Sequence, residues 1–210
     1  MPQICSAGTR LIIEESIHDA FVSAIVDRVK NIKLGSGFDE STQMGPLISK
    51  DHLNKVVNYV ENGKQEGATV AVGGGRPDDP ELLNGFFYLP TVLTGCTSNM
   101  RVVQDEGFGP VITVEKFTTE EEAVRLANDS IYGLSGGVFT NDIAKAERCV
   151  AKMRMGTVWI NDVNLYFPHA PWGGYKQSGI GRELGKKGLE EYQETKHIFQ
   201  NLKPEPVNWF

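Results

Sequence analysis

Apolar positions along the chain repeat with two different periods. Between Ile17 and Lys33, Phe21, Val22, Ile25, Val26, Val29 and Ile32 recur at three- and four-residue steps, with Asp27, Arg28 and Lys30 between them. That spacing predicts an amphipathic helix with one buried face. The short β-branched run Thr9–Glu14 ahead of it predicts a strand, and Ser16 stands where a helix cap belongs. A second helix opens at Ser49-Lys50-Asp51-His52, carries Leu53, Val56, Val57 and Val60 on one side, and closes at Gly67. Thr69–Val72 and Phe86–Leu93 predict strands, and Pro90 inside the second points to a sheet edge or a bulge. Between these two, Gly73–Gly75 and Pro77–Pro80 predict a loop. Strand patterns at Val111–Phe117, Gly137–Thr140 and Thr157–Asn161 then alternate with helical patterns at Thr119–Asn128 and Asp142–Met153. Such alternation builds βαβ units, so the expected fold is α/β, a mainly parallel open sheet with helices on both faces.

Composition narrows the classes of function. A chain of 210 residues with 40% hydrophobic, 9% aromatic and 23% charged residues has the make-up of a folded domain rather than a disordered or coiled-coil chain. Twenty-one Lys and Arg against 27 Asp and Glu give a net charge of −6, and no basic cluster exceeds Lys186-Lys187. A chain so charged has no electrostatic grip on phosphate backbones, so nucleic acid is not an expected partner. No apolar run approaches the ~20 residues of a membrane span, and no basic-then-apolar leader stands at the N-terminus, so no membrane partner is expected either. Cys5, Cys96 and Cys149 are odd in number, with no CxxC pair and no Cys/His zinc spacing. They predict reduced thiols, a cytoplasmic location and no metal site. The end of the chain differs in character: Glu194–Phe210 holds Pro204 and Pro206 and finishes on Val207, Trp209 and Phe210. An apolar tail of this type is expected to dock, either on a neighbouring subunit or as an intramolecular strand.

Four stretches hold candidate chemistry. In Gln3-Ile4-Cys5-Ser6-Ala7-Gly8, a cysteine among small residues is open to close approach, and its backbone N–H can face an oxyanion. By residue type alone a small buried thiol is the commoner outcome. In Asp105-Glu106-Gly107-Phe108-Gly109-Pro110, glycines and a proline around one carboxylate and one aromatic ring make a rigid loop able to accept two ribose hydroxyls, or simply an acidic surface turn. The stretch from Tyr166 to Tyr175 is dense in aromatic residues, whose faces attract cations, although such rings also serve as core plugs. His169 within it has no second ligand at metal-binding spacing. Finally, Gly179-Ile180-Gly181-Arg182-Glu183-Leu184-Gly185 has the spacing GxGxxxG and follows a loop, so it predicts a tight turn into a helix rather than a dinucleotide fingerprint.

These segments, in this order, resemble the C-terminal part of the NAD(P)-dependent aldehyde dehydrogenases, from QICSAG through EGFGPV to PWGGYKQSGIGRELG. The resemblance implies that Cys5 is the catalytic nucleophile, forming first a thiohemiacetal and then a thioester. It implies that Glu106 holds the ribose of an NAD or NADP cofactor, that Phe108 lies beside the nicotinamide, and that Trp172 lines the substrate tunnel. Within the family, APWGGYKQSGIGRELG and the terminal VNWF are most similar to betaine aldehyde dehydrogenases, which would make Tyr166 and Trp172 the substrate-binding aromatics around a trimethylammonium group. Residues 1–193 then correspond to the catalytic domain and residues 194–210 to an extended oligomerisation segment of a homo-oligomer. Because family members are more than twice as long, the resemblance also implies a fragment, inactive alone, whose cofactor domain, general base and oxyanion-hole asparagine lie elsewhere. Two other functions remain open: a non-catalytic binding or oligomerisation module of the same fold, and a cysteine hydrolase pairing Cys5 with His18, His52, His169 or His197.

Overall fold

The strand and helix patterns come together as a four-stranded sheet in the order β1-β4-β3-β2, in a computed structural model that describes residues 3–206. The strands are β1 (Arg10–Glu14), β2 (Thr69–Val72), β3 (Thr91–Thr94) and β4 (Val111–Phe117). β4 runs parallel to both β1 and β3, while β2 closes one edge in the antiparallel sense. Two further pairs lie downstream: β6 (Ser135–Val138) parallel to β7 (Thr157–Ile160), and β5 (Tyr132–Gly133) antiparallel to β8 (Tyr175–Lys176). The four-stranded sheet is therefore mixed, with β1, β4 and β3 parallel and β2 alone antiparallel at one edge.

Period-two alternation sends neighbouring residues of β3 to opposite faces, and both faces are covered. Leu93 packs with Val56 and Val60 of α2 (Lys50–Gln65) and with Val102 and Val103 of α4 (Arg101–Gln104). Val92 packs on the other side with Ile13 and Val114, against Val22, Ile25 and Val29 of α1 (His18–Lys30). Each such fully buried aliphatic side chain contributes about 1.5–3 kcal/mol.

Several predicted boundaries shift for identifiable reasons. β3 begins at Thr91 rather than Phe86, and it is a central strand rather than an edge. Pro90 has no N–H to give a ladder and stops just short of it; Thr91 N–H is the first to donate, to Pro110 at 2.8 Å. The irregular register falls instead on the neighbouring β2, between Val70 and Val72. β6 spans Ser135–Val138 rather than Gly137–Thr140. Ser16 does not cap α1, because a 3₁₀ turn at Glu15–Ile17 intervenes and its hydroxyl donates to Glu14 at 3.1 Å. Ser49 does cap α2, accepting from His52 N–H at 3.1 Å. The one-turn helices α3 (Pro80–Leu83) and α4 were not predicted, being too short to show a period.

Beyond β4, α5 (Glu120–Asn128) and α6 (Ile143–Lys152) follow the predicted spans, and α7 (Gly185–Glu190) ends the regular structure. The C-terminal end of α5 is gripped by cations from both halves of the chain. Arg10 donates to Leu126 O at 3.1 Å, and Lys176 Nζ donates to Asn128 O at 2.7 Å and Ser130 O at 2.9 Å. Positive charge there complements the negative end of the helix dipole. Arg10 also reaches the buried Glu115 carboxylate at 2.7 Å. Among the described residues of the tail, 194–206 form no helix or strand and leave Ile198, Phe199 and Leu202 exposed. The intramolecular strand is thus absent from that stretch, and Val207, Trp209 and Phe210 lie outside the described residues.

Candidate active site

Topology brings the first two candidate stretches together. β1 and β4 are parallel neighbours, with Arg10 opposite Thr113, so the segments that precede them in sequence meet at the same end of the sheet. Cys5, Ala7, Glu106 and Phe108 line one cleft there, enclosing about 50 Å³. The Cys5 turn is held by Ala7 N–H donating to Ile4 O at 3.1 Å and by Thr113 N–H donating to Thr9 O at 2.9 Å. Gln3 pins its start by accepting from Ile48 N–H at 3.2 Å. Cys5 is exposed, which overturns the buried-thiol expectation from residue type. Cys96 and Cys149 are the buried thiols; burial pushes Cys96 up to about 11 and raises Cys149 too, so both stay protonated at neutral pH.

The Asp105–Pro110 loop owes its shape to packing on α2. A Cβ at Gly107 would stand 2.7 Å from the Tyr59 ring, so only glycine lets the loop lie against that helix. Tyr59 in turn donates to Val102 O and bridges to Asp105 O at 3.2 Å, and burial raises its phenol above the ordinary value. Phe108 takes a left-handed backbone, φ 54°, unusual for an aromatic residue. His52 Nε2 lies 2.7 Å from Phe108 O, within hydrogen-bonding distance, and the two rings meet edge to face. Glu106 is exposed, and its carboxylate has no hydrogen-bond partner among the described residues. An acceptor-only group beside an aromatic ring suits the vicinal hydroxyls of a ribose carrying a flat base.

The third stretch folds back onto the first. Tyr166 Oη donates to the buried Ser6 hydroxyl at 2.5 Å, across 160 positions of sequence. Tyr166 packs edge to face on Trp172, with centroids 4.8 Å apart. Trp159 completes the cluster, 6.0 Å from Tyr166 and 6.2 Å from Trp172. Trp159 was not singled out in the sequence; the available signal was a lone tryptophan in an otherwise β-branched strand, which reads equally as core.

The fourth stretch is the clasp on Trp172. Trp172 and Glu183 exchange two backbone hydrogen bonds, both 2.7 Å. The chain then turns through Leu184 and Gly185, both with positive φ; a Cβ on Gly185 would stand 2.7 Å from His169 O. The turn into α7 is as predicted. No described histidine hydrogen-bonds to Cys5: His18 pairs with Asp19, His52 with Phe108, the His169 ring sits 5.6 Å from that of Phe167, and His197 is exposed in the tail with no hydrogen bond to Cys5. A Cys–His hydrolase pair is therefore missing among the described residues. No group of three or more metal-binding side chains occurs among them, and no helix is long and apolar enough to cross a membrane.

Residues 1–198 match the profile described as "Aldehyde dehydrogenase family". The betaine aldehyde dehydrogenase of Bacillus subtilis is 62% identical over 208 residues, 99% of this chain and 42% of that protein. The peroxisomal aminoaldehyde dehydrogenase 2 of Pisum sativum is 45% identical over 99% of this chain and 41% of its own length. The crystal structure of Staphylococcus aureus betaine aldehyde dehydrogenase in complex with NAD+ superposes with a TM-score of 0.96 at 61% identity, covering 100% of this chain and 42% of that one. The chain thus spans about two-fifths of the length of the relatives it matches.

Proposed function

This chain belongs to the aldehyde dehydrogenase family, and on that premise we propose that it is the catalytic part of an enzyme oxidising betaine aldehyde to glycine betaine with NAD+. The observation that carries the proposal is the meeting of an exposed cysteine, an unpartnered carboxylate and an aromatic ring in one cleft, with Tyr166 tied to the same turn. In this reading residues 1–193 form the catalytic domain, and residues 194–210 pack on a second copy of the chain, where exposed Ile198, Phe199 and Leu202 become buried. Three free cysteines suit a reducing, cytoplasmic compartment.

Cys5 Sγ, as thiolate, attacks the aldehyde carbon; a C–S bond forms and the carbonyl π pair moves to oxygen, giving a thiohemiacetal. The Cys5 backbone N–H is a donor the chain itself supplies for that oxygen. A bound nicotinamide supplies the hydride acceptor. Loss of hydride from the thiohemiacetal carbon leaves a thioester on Cys5, which water cleaves to release the acid and restore the sulfur. Glu106 accepts from the cofactor ribose, Phe108 flanks its ring, and Tyr166 and Trp172 present aromatic faces to the trimethylammonium group.

The test is NADH formation from betaine aldehyde and NAD+ by this chain joined to the N-terminal portion of the Bacillus subtilis relative, with a Cys5→Ala control. Turnover that vanishes in the control is expected. Turnover that survives Cys5→Ala overturns the proposal.

A further inference from the structure

We propose that Trp159 is a positioning residue for Cys5, acting through the Asn161–Tyr166 segment; the inference rests on Cys5 being the nucleophile. The segment leaves β7 through two left-handed residues, Asn161 at φ 55° and Asn164 at φ 60°, a conformation that asparagine adopts more readily than most side chains and that turns the chain sharply here. Its near end is tied by Asn161, whose amide accepts from Thr140 N–H at 2.8 Å and donates to Thr140 O at 2.9 Å. Its far end is tied by the Trp159 indole, whose Nε1–H donates to Leu165 O at 3.0 Å. The next residue is Tyr166, whose hydroxyl holds Ser6, the immediate neighbour of Cys5.

A chain of two hydrogen bonds and one peptide therefore runs from the indole to the nucleophile's turn. Ser6 is buried while Cys5 is exposed, so fixing the Ser6 side chain fixes which way the adjacent Cys5 faces the cleft. The Trp159 ring braces the same tyrosine edge to face, at 89°. Trp159 is thus separated from Cys5 by Tyr166 and Ser6, and its effect on chemistry is indirect.

Trp159→Phe keeps a ring but removes the N–H, and Tyr166→Phe keeps a ring but removes the O–H. Amide exchange of this chain at Ala7, whose N–H bonds to Ile4 O, reads the Cys5 turn directly. Each variant is expected to speed exchange at Ala7 about fivefold, the net worth of one hydrogen bond, with Val92 and Leu93 unchanged. Because the two bonds act in series, Trp159→Phe/Tyr166→Phe should add nothing further. In the joined enzyme, kcat with an uncharged aldehyde should fall by a similar factor at unchanged KM. Unaltered exchange at Ala7, additive effects, faster exchange through β3, or an unchanged kcat in an active enzyme would each overturn the inference. Surviving turnover in Cys5→Ala would sink the proposed function instead, and it leaves the exchange result standing.

Discussion

From Ile13 to Val114 the chain is stabilised by burial: α1 on one side and α2 and α4 on the other close over a sheet whose Val92 and Leu93 are fully enclosed. After Val114, among the described residues, only Leu126, Ala146 and Cys149 are buried hydrophobics, and the aromatic cluster is held by hydrogen bonds and a backbone clasp. The first region is a frame that sets Cys5, Glu106 and Phe108 on adjacent loops. The second is a part-exposed surface whose shape depends on specific ties, and such ties can be altered without unfolding the frame.

Substitutions sharpen that contrast, beginning with the largest effect. Leu93→Ala opens a cavity between α2 and the sheet and should cost about 2–5 kcal/mol in urea unfolding. A loss under 1 kcal/mol would mean that burial does not hold this region. Arg10→Met strands the Glu115 carboxylate, 2% exposed and already with one oxygen unpartnered, and should cost about 3 kcal/mol. Pairing it with Glu115→Leu should recover most of the loss, and failure to recover would show that the grip of Arg10 on α5 matters more than the ion pair.

In the second region the expected loss moves from stability to selectivity. Trp172→Ala should leave the unfolding midpoint nearly unchanged, yet weaken use of a trimethylammonium aldehyde by ~1–2 kcal/mol more than an uncharged analogue. Equal losses for both substrates would remove the cation–aromatic account. The smallest effect belongs to Arg148, which joins α6 to α5 through two hydrogen bonds to Glu120, at 2.7 and 3.1 Å. Those bonds hold the Glu120 carboxyl below its ordinary value, so their stabilisation is present above that value and is lost as pH falls through the folded-state one. Arg148→Ala should lower Tm slightly at neutral pH and match the parent near pH ~3; a gap that persists in acid would contradict this.

Local patterning was enough to delimit α1, α2, α5 and α6, because apolar residues repeating over two or more turns decide which face can be buried. It was not enough for β3, where Pro90 looked like an edge marker and instead stands just before a central strand. Nor did it reveal α4, β5 or β8, which are too short to carry a period. The individual site candidates were legible as types of residue: a cysteine among small neighbours, a carboxylate between glycines, aromatic residues in a tight loop.

Their assembly was not, because contact between Tyr166 and Ser6 spans 160 positions and no sequence period reports on it. That contact is made where the distant aromatic loop, tied by the Trp159 indole and by the Trp172–Glu183 bridge, folds back onto the turn that precedes β1. The sequence alone determined the α/β alternation, the candidate chemical groups and most of each helix face, since those depend on near neighbours and side-chain type, although Phe21, expected on the buried face of α1, is exposed. Which cysteine stands open, which carboxylate lies beside it, and that Trp159 braces the tyrosine above it were decided by the tertiary structure, where burial and hydrogen bonding act between residues far apart along the chain.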